Sequence, residues 1–105
     1  MTTSVSTHIL DAALGRPAIG LQVTLTLPDG STKTGKTDAD GRARVTDGLG
    51  PGIHTLTFAT GPWFAAQSRE TFYPEVTVSF HLTQDEHHHV ALLLSPFAYT
   101  TYRGS

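Results

Sequence analysis

From Leu21 to Leu27 the chain alternates, with Leu21, Val23, Leu25 and Leu27 apolar and Gln22, Thr24 and Thr26 polar. A period of two puts every second side chain on one face, so the pattern predicts a strand with one buried face. Pro28-Asp29-Gly30 makes the turn that follows. Ser31 to Thr37 is polar but β-compatible, Thr37-Asp38-Ala39-Asp40-Gly41 is a second turn, and Ala43 to Thr46 is a short strand. After Gly48-Leu49-Gly50-Pro51-Gly52 the alternation returns at Leu56 and Phe58, and again at Val76, Val78, Phe80 and Leu82. Between these two strands, Trp63 to Glu70 has no β-branched residue and predicts a helix of about two turns, bounded by Pro62 and Pro74.

The run His87 to Ser95 breaks the rule. One face reads His88, Val90, Leu92, Leu94 and the other His87, His89, Ala91, Leu93, so apolar residues occupy both. A half-exposed antiparallel strand is polar on its outer face, so the side carrying Ala91 and Leu93 is expected to meet a second subunit. Ser95-Pro96-Phe97 turns the chain, and Ala98 to Arg103, rich in Thr and Tyr, predicts a last strand. Seven or eight short strands at regular turn spacing indicate an all-β sandwich of two sheets.

Composition narrows what the sandwich can do. With 105 residues, 38% of them apolar, the chain forms one domain, 1–105, with enough core to fold without staples. The absence of Cys removes thiolate nucleophiles and Cys-ligated zinc. Seven Lys plus Arg lie scattered among nine Asp plus Glu, so the basic stripe of a nucleic-acid binder is missing. No stretch has the build of a secretory leader or a membrane span, and the expected location is cytoplasmic.

Six histidines remain, four of them at His81, His87, His88 and His89. His87 and His89 project to one strand face and could chelate a metal, but two imidazoles need a further ligand, and neither a metal nor another cofactor is expected. His54 and His81 are expected to be solvated or at a strand edge. His8 lies in a β-prone segment near the start, and Arg42 leaves a turn in which Gly41 can take a positive φ.

In chain order, Ser6-Thr7-His8-Ile9-Leu10-Asp11, Gly15-Arg16-Pro17-Ala18, Thr37-Asp38-Ala39-Asp40-Gly41-Arg42, His89-Val90-Ala91-Leu92-Leu93-Leu94-Ser95-Pro96 and Tyr102-Arg103-Gly104-Ser105 resemble the 5-hydroxyisourate hydrolase family, the transthyretin-like enzymes of urate degradation. The resemblance spans essentially the whole chain. It implies a transthyretin-like sandwich of two four-stranded sheets with one short helix, assembled as a homotetramer, a dimer of dimers, with sites in the channel between dimers. It implies catalytic roles for His8, Arg42, His89 and Ser105, and substrate contacts from His8, Arg42, Tyr102, Arg103 and Ser105. One departure is Ala91, where these hydrolases usually carry Pro and transthyretin carries Ala.

The implied reaction is ring-opening hydrolysis of 5-hydroxyisourate to 2-oxo-4-hydroxy-4-carboxy-5-ureidoimidazoline. Water attacks a ring carbonyl and a ring nitrogen leaves. A neutral His can take the water's proton near pH 7, which suits His8 or His89, and the planar guanidinium of Arg42 offers fixed donors to the developing oxyanion. Ser105 positions water or donates through its hydroxyl. The first alternative is a non-catalytic transthyretin-like carrier of a planar small molecule, against which the Tyr-Arg-Gly-Ser ending counts. The second is a structural module of the carboxypeptidase-regulatory type, which shares the turn chemistry but leaves the segment from His87 onward unexplained.

Overall fold

A computed structural model describes residues 3–105; positions 1 and 2 of the expected domain lie outside the described residues. Its elements, in order, are β1 (Ser4–Asp11), β2 (Arg16–Pro17), β3 (Gln22–Thr26), β4 (Thr32–Lys36), β5 (Arg42–Val45), β6 (Gly52–Phe58), α1 (Thr60–Ala65), β7 (Val76–Leu82), β8 (His87–Ser95) and β9 (Ala98–Gly104). One sheet has the order β4-β3-β6-β7. The other runs β2-β1-β8-β9, with β5 also paired to β1. The second sheet is four positions wide, as expected, but its outer position is shared by two short strands. β2 pairs with Leu10 and Asp11, and β5 with Val5 to His8.

The inward faces are those the alternation marks. Val5, Ile9, Leu92 and Leu94 from one sheet meet Val23, Leu25, Leu56, Phe58 and Val76 from the other in a single core. Each large side chain buried there contributes about 1.5–3 kcal/mol. Asp11, buried at the end of β1, accepts both guanidinium nitrogens of Arg69, at 2.7 and 3.3 Å, and the N–H groups of Ala13 and Leu14, each at 3.1 Å. The Arg69 guanidinium in turn lies 4.8 Å from the Phe64 ring centre, tying the helix to β1.

Two expectations need correction. The helix occupies Thr60–Ala65 rather than Trp63 to Glu70, and Pro62 lies inside its first turn. The first N–H groups of a helix have no intrahelical acceptor, so a residue without one fits there. Ser68, at a φ of 55°, ends the turn that follows. His54 is not solvated but fully buried, sharing the inner face of β6 with Leu56 and Phe58. The period of two extends one step earlier than Leu56. The His54 Nδ1 lies 3.2 Å from the Gly52 carbonyl, and among the described residues its Nε2 meets no hydrogen-bond partner. His81, by contrast, is exposed on β7. Among the described residues no helix is long and apolar enough to cross a membrane.

Candidate functional site

β1 and β8 run parallel although about eighty residues separate them, and their register decides which side chains meet. Ser4 lies opposite His87, Ser6 opposite His89 and His8 opposite Ala91. On the other side of β1, β5 brings Arg44 beside Ser6 and Arg42 beside His8. On the other side of β8, β9 brings Gly104 beside His89 and Tyr102 beside Ala91. Residues directly opposite in a sheet share a face. The outer surface of the sheet therefore carries two adjacent rows, Arg42-His8-Ala91-Tyr102 and Arg44-Ser6-His89-Gly104. Small residues at 91 and 104 leave space between the polar ones.

The turn before β5 aims the arginines. Gly41 has a φ of 74°, as expected, and a Cβ there would fall 2.6 Å from the Ile9 carbonyl oxygen. Asp38 Oδ1 accepts the N–H groups of Asp40 at 2.9 Å and Arg42 at 3.0 Å. These bonds hold the Asp38 carboxyl below its ordinary range.

A shallow depression of about 520 Å³ opens over the second row, walled by Ser6, Lys36, Asp38, Arg42, Arg44, His87, His89 and Ser105. His8 stands at its margin, two residues along β1 from Ser6 on the same face. Burial, then the charges of Arg42, His8 and His87, pushes His89 below the ordinary histidine value. Burial, then Arg44 and His88, does the same to His87. Both rings are thereby biased toward the neutral form that can accept a proton near pH 7.

Of the six residues singled out in the sequence, His8, Arg42, His89, Tyr102 and Ser105 gather on this face. Arg103 does not. It pairs with Val90, whose side chain is in the core, so it belongs to the opposite face, and its guanidinium lies 3.7 Å from Glu86. The sequence reading missed Ser6, Arg44, Lys36 and Gly104. The two-residue steps Ser6 to His8 and Arg42 to Arg44 were the available signal.

The histidine cluster is divided by strand alternation. His88 points inward, its Nε2 accepting the Thr83 N–H at 2.9 Å and its Nδ1 lying 3.3 Å from the Ser4 carbonyl, so it clamps the β7–β8 turn onto β1. Among the described residues no three His, Asp or Glu side chains are grouped so as to hold a metal ion.

A family model described as HIUase/transthyretin matches residues 5–104. The chain belongs to the HIUase/transthyretin family. It is 43% identical over 109 residues to a 5-hydroxyisourate hydrolase of Salmonella typhimurium, covering 96% of this chain and 80% of that protein. It is 42% identical to the 5-hydroxyisourate hydrolase of Caulobacter vibrioides, covering 98% of this chain and 99% of that one. The structure of Klebsiella pneumoniae 5-hydroxyisourate hydrolase superposes with a TM-score of 0.88 at 37% identity, over 98% of this chain and 94% of that one. Transthyretin of sea bream superposes with a TM-score of 0.85 at 30% identity, over 95% and 93%. The sandwich is thus shared with a 5-hydroxyisourate hydrolase and with a transthyretin.

Proposed function

We propose that this chain is a hydrolase that opens the ring of 5-hydroxyisourate to give 2-oxo-4-hydroxy-4-carboxy-5-ureidoimidazoline. The observation that carries the reading is the convergence of two histidines, His8 and His89, with Arg42 on one open sheet face. Its support from relatives is the family of proteins named for that hydrolysis. His89 in its neutral form takes a proton from water as the water attacks the ring carbonyl. Arg42, directly beside His8 in the sheet, turns its planar guanidinium donors to the oxygen on which negative charge develops. Arg44 and Lys36 add positive charge where the new carboxylate forms. Ser105 lies on the same wall and offers a hydroxyl to orient substrate or water, and Tyr102 closes the row beyond Ala91. Arg103, on the opposite face and 3.7 Å from Glu86, has no direct part.

The same face supports a site completed in an assembly. Past the two rows, Leu10, Leu93 and Thr100 form a third, and Leu93 turns its side chain outward. An apolar end to an otherwise polar surface suits a partner subunit laid across it, and the chain assembles as a homotetramer of about 45 kDa, four times 11.3 kDa.

The test is absorbance decay of freshly generated 5-hydroxyisourate against its spontaneous decay. Acceleration by the protein is expected, with kcat/KM falling about 10²- to 10⁴-fold in His8→Gln and His89→Gln. No acceleration by intact protein overturns the reading and favours a carrier.

A further inference from the structure

Behind His89 runs a continuous line of hydrogen bonds that has no part in the proton transfer from water to His89 alone. Ser6 Oγ lies 2.7 Å from His89 Nδ1 and 2.9 Å from His87 Nε2, and His87 Nδ1 lies 2.5 Å from Ser4 Oγ. One serine hydroxyl therefore bridges two imidazoles. It has a single hydrogen, so it donates to one ring and accepts from the other. The parallel register of β1 and β8 creates this arrangement, since it alternates Ser4, His87, Ser6 and His89 across the strand pair. Inner-face residues on the same strands are apolar or locked, as His88 is by Thr83 and Ser4.

We infer that Ser6 and His87 are positioning residues forming a proton relay, in which Ser6 fixes the tautomer of His89 and His87 holds the proton between the two halves of the reaction. The inference rests on the hydrolase reading. With Nδ1–H of His89 donating to Ser6, Nε2 of His89 is left with its lone pair free for the water. Ser6 then donates to His87 Nε2, and His87 carries its own hydrogen on Nδ1 toward Ser4.

The transfer balances atom by atom. Water loses a proton to His89 Nε2 as its oxygen bonds to the ring carbonyl carbon. His89 passes its Nδ1 proton to Ser6 Oγ, and Ser6 passes its original hydrogen to His87 Nε2. His87 is now the imidazolium, and His89 is neutral with a hydrogen on Nε2. When the carbon–nitrogen bond breaks, that Nε2 hydrogen goes to the leaving nitrogen, and the proton on His87 returns through Ser6 to His89 Nδ1. No oxidant, metal or second substrate is required.

The direction of the shuttle follows from what faces each ring. His89 is half-buried and is faced by Arg42 from β5 and by His8 from β1, whereas His87 is exposed and is faced by Arg44 from β5 and by His88 on its own strand. Lys36, Asp38 and Ser105 wall the same depression. Charge on the exposed ring is screened by water, so moving the proton outward relieves the repulsion between an imidazolium at His89 and Arg42.

The relay is tested on the full chain by two independent measurements. Nitrogen-15 chemical shifts of the histidine side chains should show His89 protonated on Nδ1 in the wild type and shifted toward the Nε2–H form in Ser6→Ala. Steady-state turnover should show kcat of Ser6→Ala lowered about ten- to a hundredfold with KM within about twofold, Ser6→Thr restored to within about threefold of wild type, and His87→Gln lowered about tenfold. A wild-type His89 in the Nε2–H form, undiminished kcat in Ser6→Ala or His87→Gln, or Ser6→Thr no better than Ser6→Ala overturns the relay. Failure of the wild type to turn over 5-hydroxyisourate sinks the hydrolase reading alone, and the tautomer measurement then decides for or against the hydrogen-bond chain by itself.

Discussion

Gly104 is the most economical place to damage the site without touching a group that reacts. It lies in β9 with no positive φ, so alanine introduces no backbone strain. The difficulty is spatial. A Cβ at 104 would overlap Cδ2 of His89 and lie 3.3 Å from its Cγ and 3.4 Å from its Nε2. Carbon atoms rest at about 3.5–4.0 Å, so the imidazole must retreat by roughly 1 Å. The ring is held on its far side by the 2.7 Å bond from Nδ1 to Ser6, and a shift of that size stretches or misaligns it. The stability cost is one hydrogen bond, about 1 kcal/mol, and an off-rotamer ring, about another 1 kcal/mol. The catalytic cost is larger in proportion, because a misplacement of about 1 Å can lower a rate about 10²-fold. Gly104→Ala should therefore fold, melt about 10 °C lower, and hydrolyse 5-hydroxyisourate about a hundredfold more slowly by the absorbance assay. Gly35→Ala is the matched control, since a Cβ there meets nothing within 4 Å and the site is on another strand. Turnover of Gly104→Ala within twofold of wild type, or an equal loss in Gly35→Ala, would refute the claim that contact with Gly104 sets the position of the His89 ring.

The acid limb of activity should fall below the ordinary histidine value of 6.5, because burial and then Arg42 keep His89 neutral as pH drops. Arg42→Gln removes the second cause and leaves the first, so the acid limb of its pH–kcat/KM profile should move upward while staying below 6.5; an unmoved limb would assign the titration to another group. The unfolded chain binds more protons than the folded one between 6.5 and these lowered values, so stability should also decline as pH falls through that interval. Burial pushes the Asp11 carboxyl up, but the hydrogen bond and charge of Arg69 and the N–H groups of Leu14 and Ala13 hold it below 3.8. Its contribution is thus complete above pH 3.8 and lost as pH falls through the folded value. Arg69→Met strands that carboxylate, and a urea titration at pH 7 should show a loss of about 3 kcal/mol; a loss under about 1 kcal/mol would mean the pair is not holding the helix to β1.

Period-two alternation marked the strands at Leu21 to Leu27, Val76 to Leu82 and His87 to Ser95, because a side chain's face depends only on its place in the local pleat. Gly41 was legible for the same reason: a turn needing a positive φ is a local demand. Pro62 reads as a helix boundary in the sequence yet fits equally inside a first turn, which is where the fold puts it. The burial of His54 is not legible in the sequence, because one polar residue at the end of an apolar row does not say how deep the other sheet covers it. Arg103 shares a motif with Tyr102 in sequence, but strand alternation puts the two on opposite faces. The ordered motifs around His8, Arg42 and His89 identified the family. What they could not contain was the register of β1 against β8, fixed by the closing of the sandwich across nearly the whole chain. A slip of one residue would turn Ser6 and His8 into the core. The meeting of Ser6 with His87 and His89, and of His89 with Gly104, is therefore a product of tertiary structure alone.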